Sequence, residues 1–251
     1  MSALTKWFTL AGRRVFSTCS RQRSSVTIEL MENMDKKSAW DRFYSETSRR
    51  SPNFKNFEWF FGFDAVQDLI TPLLQTASLS RRPVQVLDLG CGTSALGPSI
   101  YRDSALPVRV TCADISTVAV QLMREHVQAN PVRPRNASSQ IEFLELDCTR
   151  LDAHYRPSSL DLIVDKGTTD ALLRSKEGAE KAASLLRQCL KALRRSGSLL
   201  QFSDEDPDAR LVWLETAAQG LAAADVGLQE VGVLRGVCYY CYHVTAHDVN
   251  K

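Results

Sequence analysis

The chain has 251 residues, of which 44% are hydrophobic and 24% are charged, and these proportions exclude collagen-like, coiled-coil and wholly disordered proteins. Its 31 basic and 29 acidic residues leave a formal net charge of +2, too balanced to indicate a nucleic-acid-binding protein. No apolar run approaches the roughly 20 residues that a membrane-spanning helix needs. Because no Gly/Ser-rich or Pro-rich linker divides the sequence, we expect one soluble α/β domain.

The first 28 residues contain five basic side chains and no Asp or Glu, and they are rich in Ser and Thr. Apolar residues recur there at helical spacing, at Leu4, Trp7, Phe8, Ala11 and Val15. An Arg-rich, Ser-rich and acid-poor N-terminus is typical of an organellar transit peptide. We therefore expect residues 1–28 to direct the chain to the mitochondrial matrix, with cleavage after Phe16. The alternative is a disordered basic tail.

Residues 29–80 are expected to form an N-terminal helical lid segment, and residues 81–251 the core. In the core, short β-rich runs alternate with helical runs. The predicted strands are Val84–Leu89, Val108–Ala113, Ile141–Leu146, Leu160–Val164 and Ser198–Phe202. The predicted helices are Ser116–Ala129, Gly178–Arg195 and Asp208–Leu221. Such alternation predicts a doubly wound, mostly parallel sheet with helices on both faces.

The last two predicted strands, Leu228–Leu234 and Val237–Thr245, are separated only by Arg235 and Gly236. So short a link predicts an antiparallel hairpin. The second strand begins the series Cys238-x-x-Cys241-x-His243-x-x-x-His247, whose residue types suggest a zinc site. Residues three apart on a strand point to opposite faces, so we expect no metal there.

The strongest functional signal follows the first predicted strand, where Asp88 precedes Gly90-Cys91-Gly92 and the start of a helix. Glycines let the backbone approach a ligand closely at a helix N-terminus. Asp114 and Asp147 end the next two strands, where they are suited to accept from ribose hydroxyls and from an adenine amino group. Three acids are therefore expected along one crevice at the carboxyl edge of the sheet.

Gly90-x-Gly92-x-x-Ala95 also satisfies the loose fingerprint of a dinucleotide cofactor. Asp88 argues against that cofactor, because a carboxylate two residues before the first glycine would repel its pyrophosphate. S-adenosylmethionine carries an ammonium group, a ribose and an adenine but no phosphate. It is therefore the cofactor that we expect.

Several segments resemble the class I, seven-stranded S-adenosylmethionine-dependent methyltransferases, which implies strand order 3-2-1-4-5-7-6 with the last strand antiparallel. Within that class, Trp40–Tyr44, Phe57–Phe60 and Asp165–Ala171 resemble the protein-lysine methyltransferases related to those acting on elongation factor 1A. Gln201–Asp208 and the presequence resemble the citrate synthase-lysine methyltransferases of mitochondria. The resemblance extends from about Trp40 to the C-terminus. Ser94 departs from it, since many members carry a third glycine there.

The resemblance implies methyl transfer to a lysine of a mitochondrial protein, with citrate synthase as the expected partner. Trp40 is expected to close over the cofactor. The full set expected to bind the cofactor is Trp40, Asp88, Gly90, Cys91, Gly92, Asp114, Ile115, Asp147 and Cys148. Two alternatives stay open, a small-molecule methyltransferase of the same fold and a non-catalytic module that binds S-adenosylmethionine.

Only a neutral lysine amine has the lone pair that attacks a methyl group. Asp165 is the expected catalytic residue, because a carboxylate at a strand end beside the crevice can orient the amine or take its proton. Lys166 is expected on the substrate side, where a structural contact is favoured over covalent chemistry. Trp59 and Phe60 are expected to hold the lysine stem by cation–π contact, with core packing as the alternative.

An acidic run, Asp204-Glu205-Asp206-Pro207-Asp208, follows the fifth predicted strand. We expect it either to attract a basic peptide surface or to cap the next helix. Asp208, directly after Pro207, is the expected cap.

Overall fold

The computed structural model describes residues 25–50, 54–78, 82–218 and 224–246, so the first 24 residues of the predicted presequence lie outside the described residues. The strands are β1 (Val84–Leu89), β2 (Val108–Asp114), β3 (Gln140–Glu145), β4 (Leu160–Lys166), β5 (Leu193–Ser203), β6 (Ala224–Leu234) and β7 (Val237–Ala246). They form one sheet in the order β3-β2-β1-β4-β5-β7-β6. Strands β1 to β5 are parallel, whereas β7 runs antiparallel to both of its neighbours. The predicted fold class and strand order are confirmed.

Helices cover both faces of the sheet. They are α1 (Ser25–Glu32), α2 (Lys37–Arg50), α3 (Gln67–Ala77), α4 (Leu96–Asp103), α5 (Thr117–Ala129), α6 (Thr168–Arg174), α7 (Ala179–Ala192) and α8 (Pro207–Ala218). Short 3₁₀ turns occur at Phe63–Ala65 and Cys148–Ala153. In the part of the chain that the structure describes, no helix is both long and apolar enough to cross a membrane.

Alternate side chains of the central strands enter two hydrophobic cores. Ile163 of β4 packs with Leu185 and Leu186 of α7 in one core. Its neighbours Leu162 and Val164 lie in the other core, on the side of α3 and α4. This alternation is the side-chain period of a strand that is buried on both faces, and it explains the continuous apolar runs of the sequence.

The boundary between α7 and β5 differs from the prediction. The helix ends at Ala192, not at Arg195, and β5 begins at Leu193, five residues before the predicted Ser198. Leu193 pairs in parallel register with Leu160 of β4, so pairing across the sheet ends the helix. Helical periodicity alone does not reveal this competition, because Leu193 also fits the apolar face of α7.

Helix α8 places a buried cation beside the core that contains Ile163 and α7. Arg210 is only 1% exposed, and its Nη2 lies 2.5 Å from Oδ1 of Asp170 and 3.1 Å from Oγ of Ser203. Its guanidinium also lies over the rings of Trp213 and Tyr242, 5.4 and 5.8 Å from their centroids. Since Asp170 belongs to α6 and Ser203 to β5, this network fixes α6 on the sheet.

The predicted cap of α8 is wrong by two residues. Asp206 accepts the backbone N–H of Asp208 at 2.9 Å, so Asp206 is the capping residue. Pro207 occupies the first helical position, where its missing N–H costs nothing, and the residue before it is therefore the one that caps. The neighbouring acid Asp204 forms an ion pair with Arg174 of α6.

Candidate active site

The glycine turn after β1 is closely packed on two sides. Gly90 and Gly92 have φ angles of +68° and +52°, a region that only glycine adopts without strain. A Cβ atom on Gly90 would lie 1.9 Å from Oγ1 of Thr168, and one on Gly92 would lie 2.3 Å from the hydroxyl of Tyr44. The backbone of this turn is thus approached by α6 from one side and by α2 from the other.

Asp114 is the last residue of β2, and its side chain holds the glycine turn in place. Its carboxylate accepts the N–H groups of Gly92 and Ser116, each at 2.8 Å, and the residue is 7% exposed. Burial raises the pKa of Asp114 to about 6, so the group is ionised at neutral pH. A carboxylate has about four lone-pair sites, and two remain for a ligand. Cys91 is buried, and its N–H donates to the carbonyl of Ala113 at 2.9 Å.

Asp88 is the second-last residue of β1 and is almost fully buried, at 2% exposure. Its Oδ2 accepts the N–H of Gly97 at 2.9 Å, so the carboxylate points at the first turn of α4. The pKa of Asp88 is raised to about 7, mainly by burial and in smaller part by the nearby carboxylates of Glu58 and Asp114, while Lys166 and the N–H of Gly97 lower it. Asp88 therefore senses both carboxylates electrostatically.

Asp147 and Cys148 follow β3 at the same edge of the sheet. The Asp147 carboxylate is exposed and accepts the N–H of Thr149 at 2.9 Å, which caps the turn Cys148–Ala153. Burial and the nearby carboxylates of Asp147, Asp165 and Asp114 raise the pKa of the Cys148 thiol. Cys148 therefore lies between the ends of β2, β3 and β4.

Asp165 is the second-last residue of β4 and is 1% exposed. Its carboxylate accepts the N–H of Thr168 at 2.8 Å, the hydroxyl of Thr169 at 2.5 Å and the side-chain amide of Gln201 at 3.2 Å. Burial raises the pKa of Asp165 to about 6. The carboxylate thus caps α6 from within the core. The same helix start places the Thr168 hydroxyl, which donates to the carbonyl of Leu89 at 2.9 Å.

Lys166, the next residue, points to the opposite face of the sheet. Its Nζ donates to a carboxylate oxygen of Glu58 at 2.5 Å and to the carbonyls of Trp59 and Phe61, each at 3.0 Å. These partners use all three donors of an ammonium group. Lys166 consequently anchors the Glu58–Phe61 segment at the end of β4.

The aromatic residues of that segment differ in burial. Phe61 is 7% exposed and packs edge-on against Phe202, with ring centroids 5.4 Å apart, so it is a core residue. Phe60 is half-buried, with its ring 5.0 Å from that of Tyr239 and its backbone at a φ of +69°. Trp59 is also half-buried, and its ring lies 6.0 Å from that of Trp40.

Trp40 lies on α2, in a strap formed by residues 25–50. Its ring stacks on Tyr44 at 5.9 Å, and its Nε1 donates to the carbonyl of Met34 at 2.7 Å. The hydroxyl of Tyr44 is the group that faces Gly92. The strap therefore brings the Tyr44 ring to the glycine turn, with Trp40 stacked on it, from a part of the chain more than forty residues away.

Both sides of the strap are fastened to the core. At the end of β2, Lys37 donates to the carbonyl of Ile115 at 3.0 Å, and Asp41 accepts the hydroxyl of Ser116 at 2.7 Å. On the other side, Lys181 of α7 donates to the carboxylate of Asp35 at 2.8 Å. The strap thus crosses the carboxyl edge of the sheet from α7 to α5.

Sequence reasoning missed Glu58, Tyr44 and Thr168 as site residues. Each lies within or beside a segment that the resemblance singled out, but none belongs to a recognised spacing of chemical groups. Among the described residues, no group of three or more His, Cys, Asp or Glu side chains is arranged to bind a metal.

Known proteins of similar sequence and structure identify the family of this chain. A family described as "Methyltransferase domain" matches residues 81–216. A mitochondrial citrate synthase-lysine N-methyltransferase from Danio rerio is 60% identical over 225 residues, covering 89% of this chain and 88% of the relative. The protein of the same name from Homo sapiens is 41% identical over 207 residues, covering 81% and 83%.

Among solved structures, the N-methyltransferase NodS from Bradyrhizobium japonicum in complex with S-adenosyl-L-homocysteine superimposes with a TM-score of 0.53. It is 15% identical and covers 81% of this chain and 98% of its own, so it supports the fold alone. The family match and the two relatives also show the family. The chain belongs to the S-adenosylmethionine-dependent methyltransferases, as a member of the protein-lysine methyltransferase family.

Proposed function

We propose that this protein methylates a lysine side chain of citrate synthase in the mitochondrial matrix. The observation that carries the proposal is the 60% identity, over 89% of the chain, with a relative named for that activity and compartment. The acid-poor, basic residues 1–28 support the compartment as a transit peptide. In this proposal residues 29–80 form the lid segment and residues 81–251 the methyltransferase core.

The residues at the carboxyl edge fit S-adenosylmethionine, which supplies a methyl group on a positively charged sulfur. We assign the ribose hydroxyls to Asp114, whose carboxylate is ionised at neutral pH and has lone pairs left after accepting from Gly92 and Ser116. The left-handed glycines of the turn favour close approach of the backbone to the amino-acid end.

The other cofactor assignments rest on position. Asp147 and Cys148 border the adenine end after β3, and Ile115 lies between Asp114 and the start of α5. Trp40 and its strap cover the crevice. Asp88 accepts the N–H of Gly97 with Oδ2 alone, so its carboxylate keeps lone pairs as well as charge, and we assign it to the ammonium group.

Lysine methylation requires that the neutral amine be aligned with the methyl–sulfur bond, and alignment is a large part of what an enzyme contributes to such a displacement. The half-buried rings of Trp59 and Phe60 are suited to hold the lysine stem. We assign Asp165 to the orientation of this region through α6, because its oxygens already accept from Thr168, Thr169 and Gln201. Lys166 acts as the anchor of the aromatic segment.

Affinity for S-adenosylhomocysteine should depend on pH through Asp114. Because burial raises the pKa of Asp114 to about 6, the carboxylate is ionised above that pH and takes up a proton below it. The protonated group accepts fewer hydrogen bonds, so the affinity should be nearly full from about pH 7 upward and fall by up to about tenfold per pH unit below pH 6. Calorimetric titrations between pH 5 and pH 8 measure this.

Asp88 and Asp165 also titrate in this range, so the matched variant is Asp114→Asn, which keeps the shape of the side chain. It should bind more weakly at pH 7.5 and lose most of the pH dependence. An unchanged pH profile in Asp114→Asn would assign the dependence to another group.

The role of Asp165 predicts a modest effect of Asp165→Asn. A general base contributes about 10² to 10⁴ in rate, whereas an amide of the same shape still accepts from the first N–H of α6. If Asp165 orients α6, kcat should fall by about tenfold or less, with the pH profile of kcat unchanged. A loss beyond about a hundredfold with an altered pH profile would instead show that Asp165 takes the proton.

The substrate is tested with protein lacking residues 1–16, labelled S-adenosylmethionine and a mitochondrial matrix extract. We expect one labelled protein that migrates with citrate synthase and carries its label on lysine. A parallel reaction with Asp114→Ala should lose the label, because the variant lacks the carboxylate assigned to the ribose. Label confined to small molecules would refute the protein substrate, and label on another protein would refute citrate synthase.

A further inference from the structure

The carboxylate of Glu58 connects two parts of the site, the glycine turn expected to bind the cofactor and the aromatic segment Trp59–Phe61. Oε1 of Glu58 accepts the N–H of Ala95 at 2.7 Å, and Oε2 accepts the hydroxyl of Ser94 at 2.7 Å. Both donors stand at the start of α4, directly after the Gly90–Gly92 turn. Glu58 itself belongs to the segment that carries Trp59 and Phe60. The segment is thereby fastened to the residues that follow the cofactor turn.

The same carboxylate reaches the other half of the site through Lys166. Oε2 of Glu58 lies 2.5 Å from Nζ of Lys166, whose side chain is 5% exposed. The remaining donors of Lys166 bind the carbonyls of Trp59 and Phe61. Hydrogen bonds between charged partners are about twice as strong as neutral ones, and burial strengthens them. The ammonium group therefore fixes the backbone on both sides of Phe60.

The backbone at Phe60 needs such a restraint. A φ of +69° is unusual for a bulky residue, and such conformations persist only where the surroundings impose them. The ring of Phe60 lies against Gly167, where an added Cβ atom would approach it to 3.1 Å. Gly167 follows Lys166 directly and has a φ of +87°, so β4 provides both the anchor and the space for this ring.

We propose that Glu58 is a positioning residue that organises the cofactor turn and the Trp59–Phe61 segment as one unit. It fixes the turn through Ser94 and Ala95, and the aromatic segment through Lys166. The inference rests on the proposed function in one respect, that the aromatic segment receives the substrate lysine. Glu58 touches neither reactant, and its effect on each passes through these neighbours.

Three substitutions separate the two connections. Ser94→Ala acts on the cofactor side alone, where it removes the hydroxyl that donates to Glu58 and accepts the N–H of Leu96. Lys166→Met removes the ammonium group on the aromatic side. Glu58→Gln removes the negative charge and one of the two accepting oxygens, so its amide cannot serve both the Oε1 and the Oε2 position. Steady-state kinetics with citrate synthase give kcat and the KM of each reactant for every variant.

Losing one hydrogen bond of ordinary strength corresponds to about fivefold in an equilibrium constant. Ser94→Ala, which loses the bonds to Glu58 and from Leu96, should therefore raise the KM of S-adenosylmethionine about fivefold or more and leave the KM of citrate synthase within twofold. Lys166→Met should raise the KM of citrate synthase about tenfold or more, because the lost partner is charged, and leave the KM of S-adenosylmethionine within twofold. Glu58→Gln should raise both values, and Glu58→Asp, which keeps the charge, should restore part of each.

Asp161→Asn is the matched control for general loss of stability. Asp161 is a buried carboxylate that pairs with Arg82 at 2.5 Å and accepts the N–H of Gln85 at 2.8 Å, at the opposite edge of the sheet. Its substitution should lower the melting temperature but leave both KM values within twofold. If Asp161→Asn raised both KM values as much as Glu58→Gln does, Glu58 would have only a structural role.

The outcomes separate this inference from the proposed substrate. Wild-type enzyme that fails to methylate citrate synthase counts against the substrate alone. Calorimetry with S-adenosylhomocysteine needs no protein substrate, and Glu58→Gln should weaken that affinity about fivefold. An unchanged affinity, or a Glu58→Gln enzyme in which only one KM rises, overturns the positioning role.

Discussion

Parallel strands bring their carboxyl ends to one edge of the sheet, and in this protein β1, β2 and β4 each carry a buried carboxylate in their last two residues, Asp88, Asp114 and Asp165. Burial raises the pKa of all three, so each needs hydrogen-bond donors to stay ionised in the native state. The donors are backbone N–H groups at the starts of helices or in the glycine turn, including those of Gly97 and Gly92. The carboxylates therefore determine where α4, α5 and α6 begin.

That arrangement also explains why the N-terminal strap docks where it does. Lys37 and Asp41 bind the residues just after Asp114, and Lys181 holds the strap on α7. The strap and the Phe57–Phe63 segment then bring a cluster of aromatic rings to this edge, including Trp40, Tyr44 and Trp59. Charged groups in such a setting interact more strongly than in water, which favours both the cofactor and the alignment of a lysine amine.

Much of the fold could be read from local patterns. Val84–Leu89 is a strand of exactly the predicted length, because six residues of mixed apolar character meet a turn that requires glycine. The end of α7 could not be predicted in this way, because it depends on the pairing of Leu193 with Leu160. The cap of α8 was misplaced for a different reason, since Asp206 and Asp208 are both plausible and Pro207 decides between them.

The residues of the candidate site likewise differ in whether local sequence could predict them. The acids at the strand ends could be found from sequence, because their position after a strand is a local property. The contacts of Lys166 with Glu58 could not, since 108 residues separate the two and neither belongs to a known spacing. The direction of the Asp165 carboxylate, into α6 and Gln201, likewise depends on packing between β4 and β5.

We propose that this enzyme, at the carboxyl edge of its sheet, transfers methyl groups to a lysine of citrate synthase. Tandem mass spectrometry of purified citrate synthase, after incubation with the purified enzyme and S-adenosylmethionine, tests it most directly. We predict one or more methyl groups on a single lysine side chain, in an amount that grows with time and requires the enzyme. Citrate synthase that stays unmodified while the enzyme binds S-adenosylhomocysteine normally would contradict the claim.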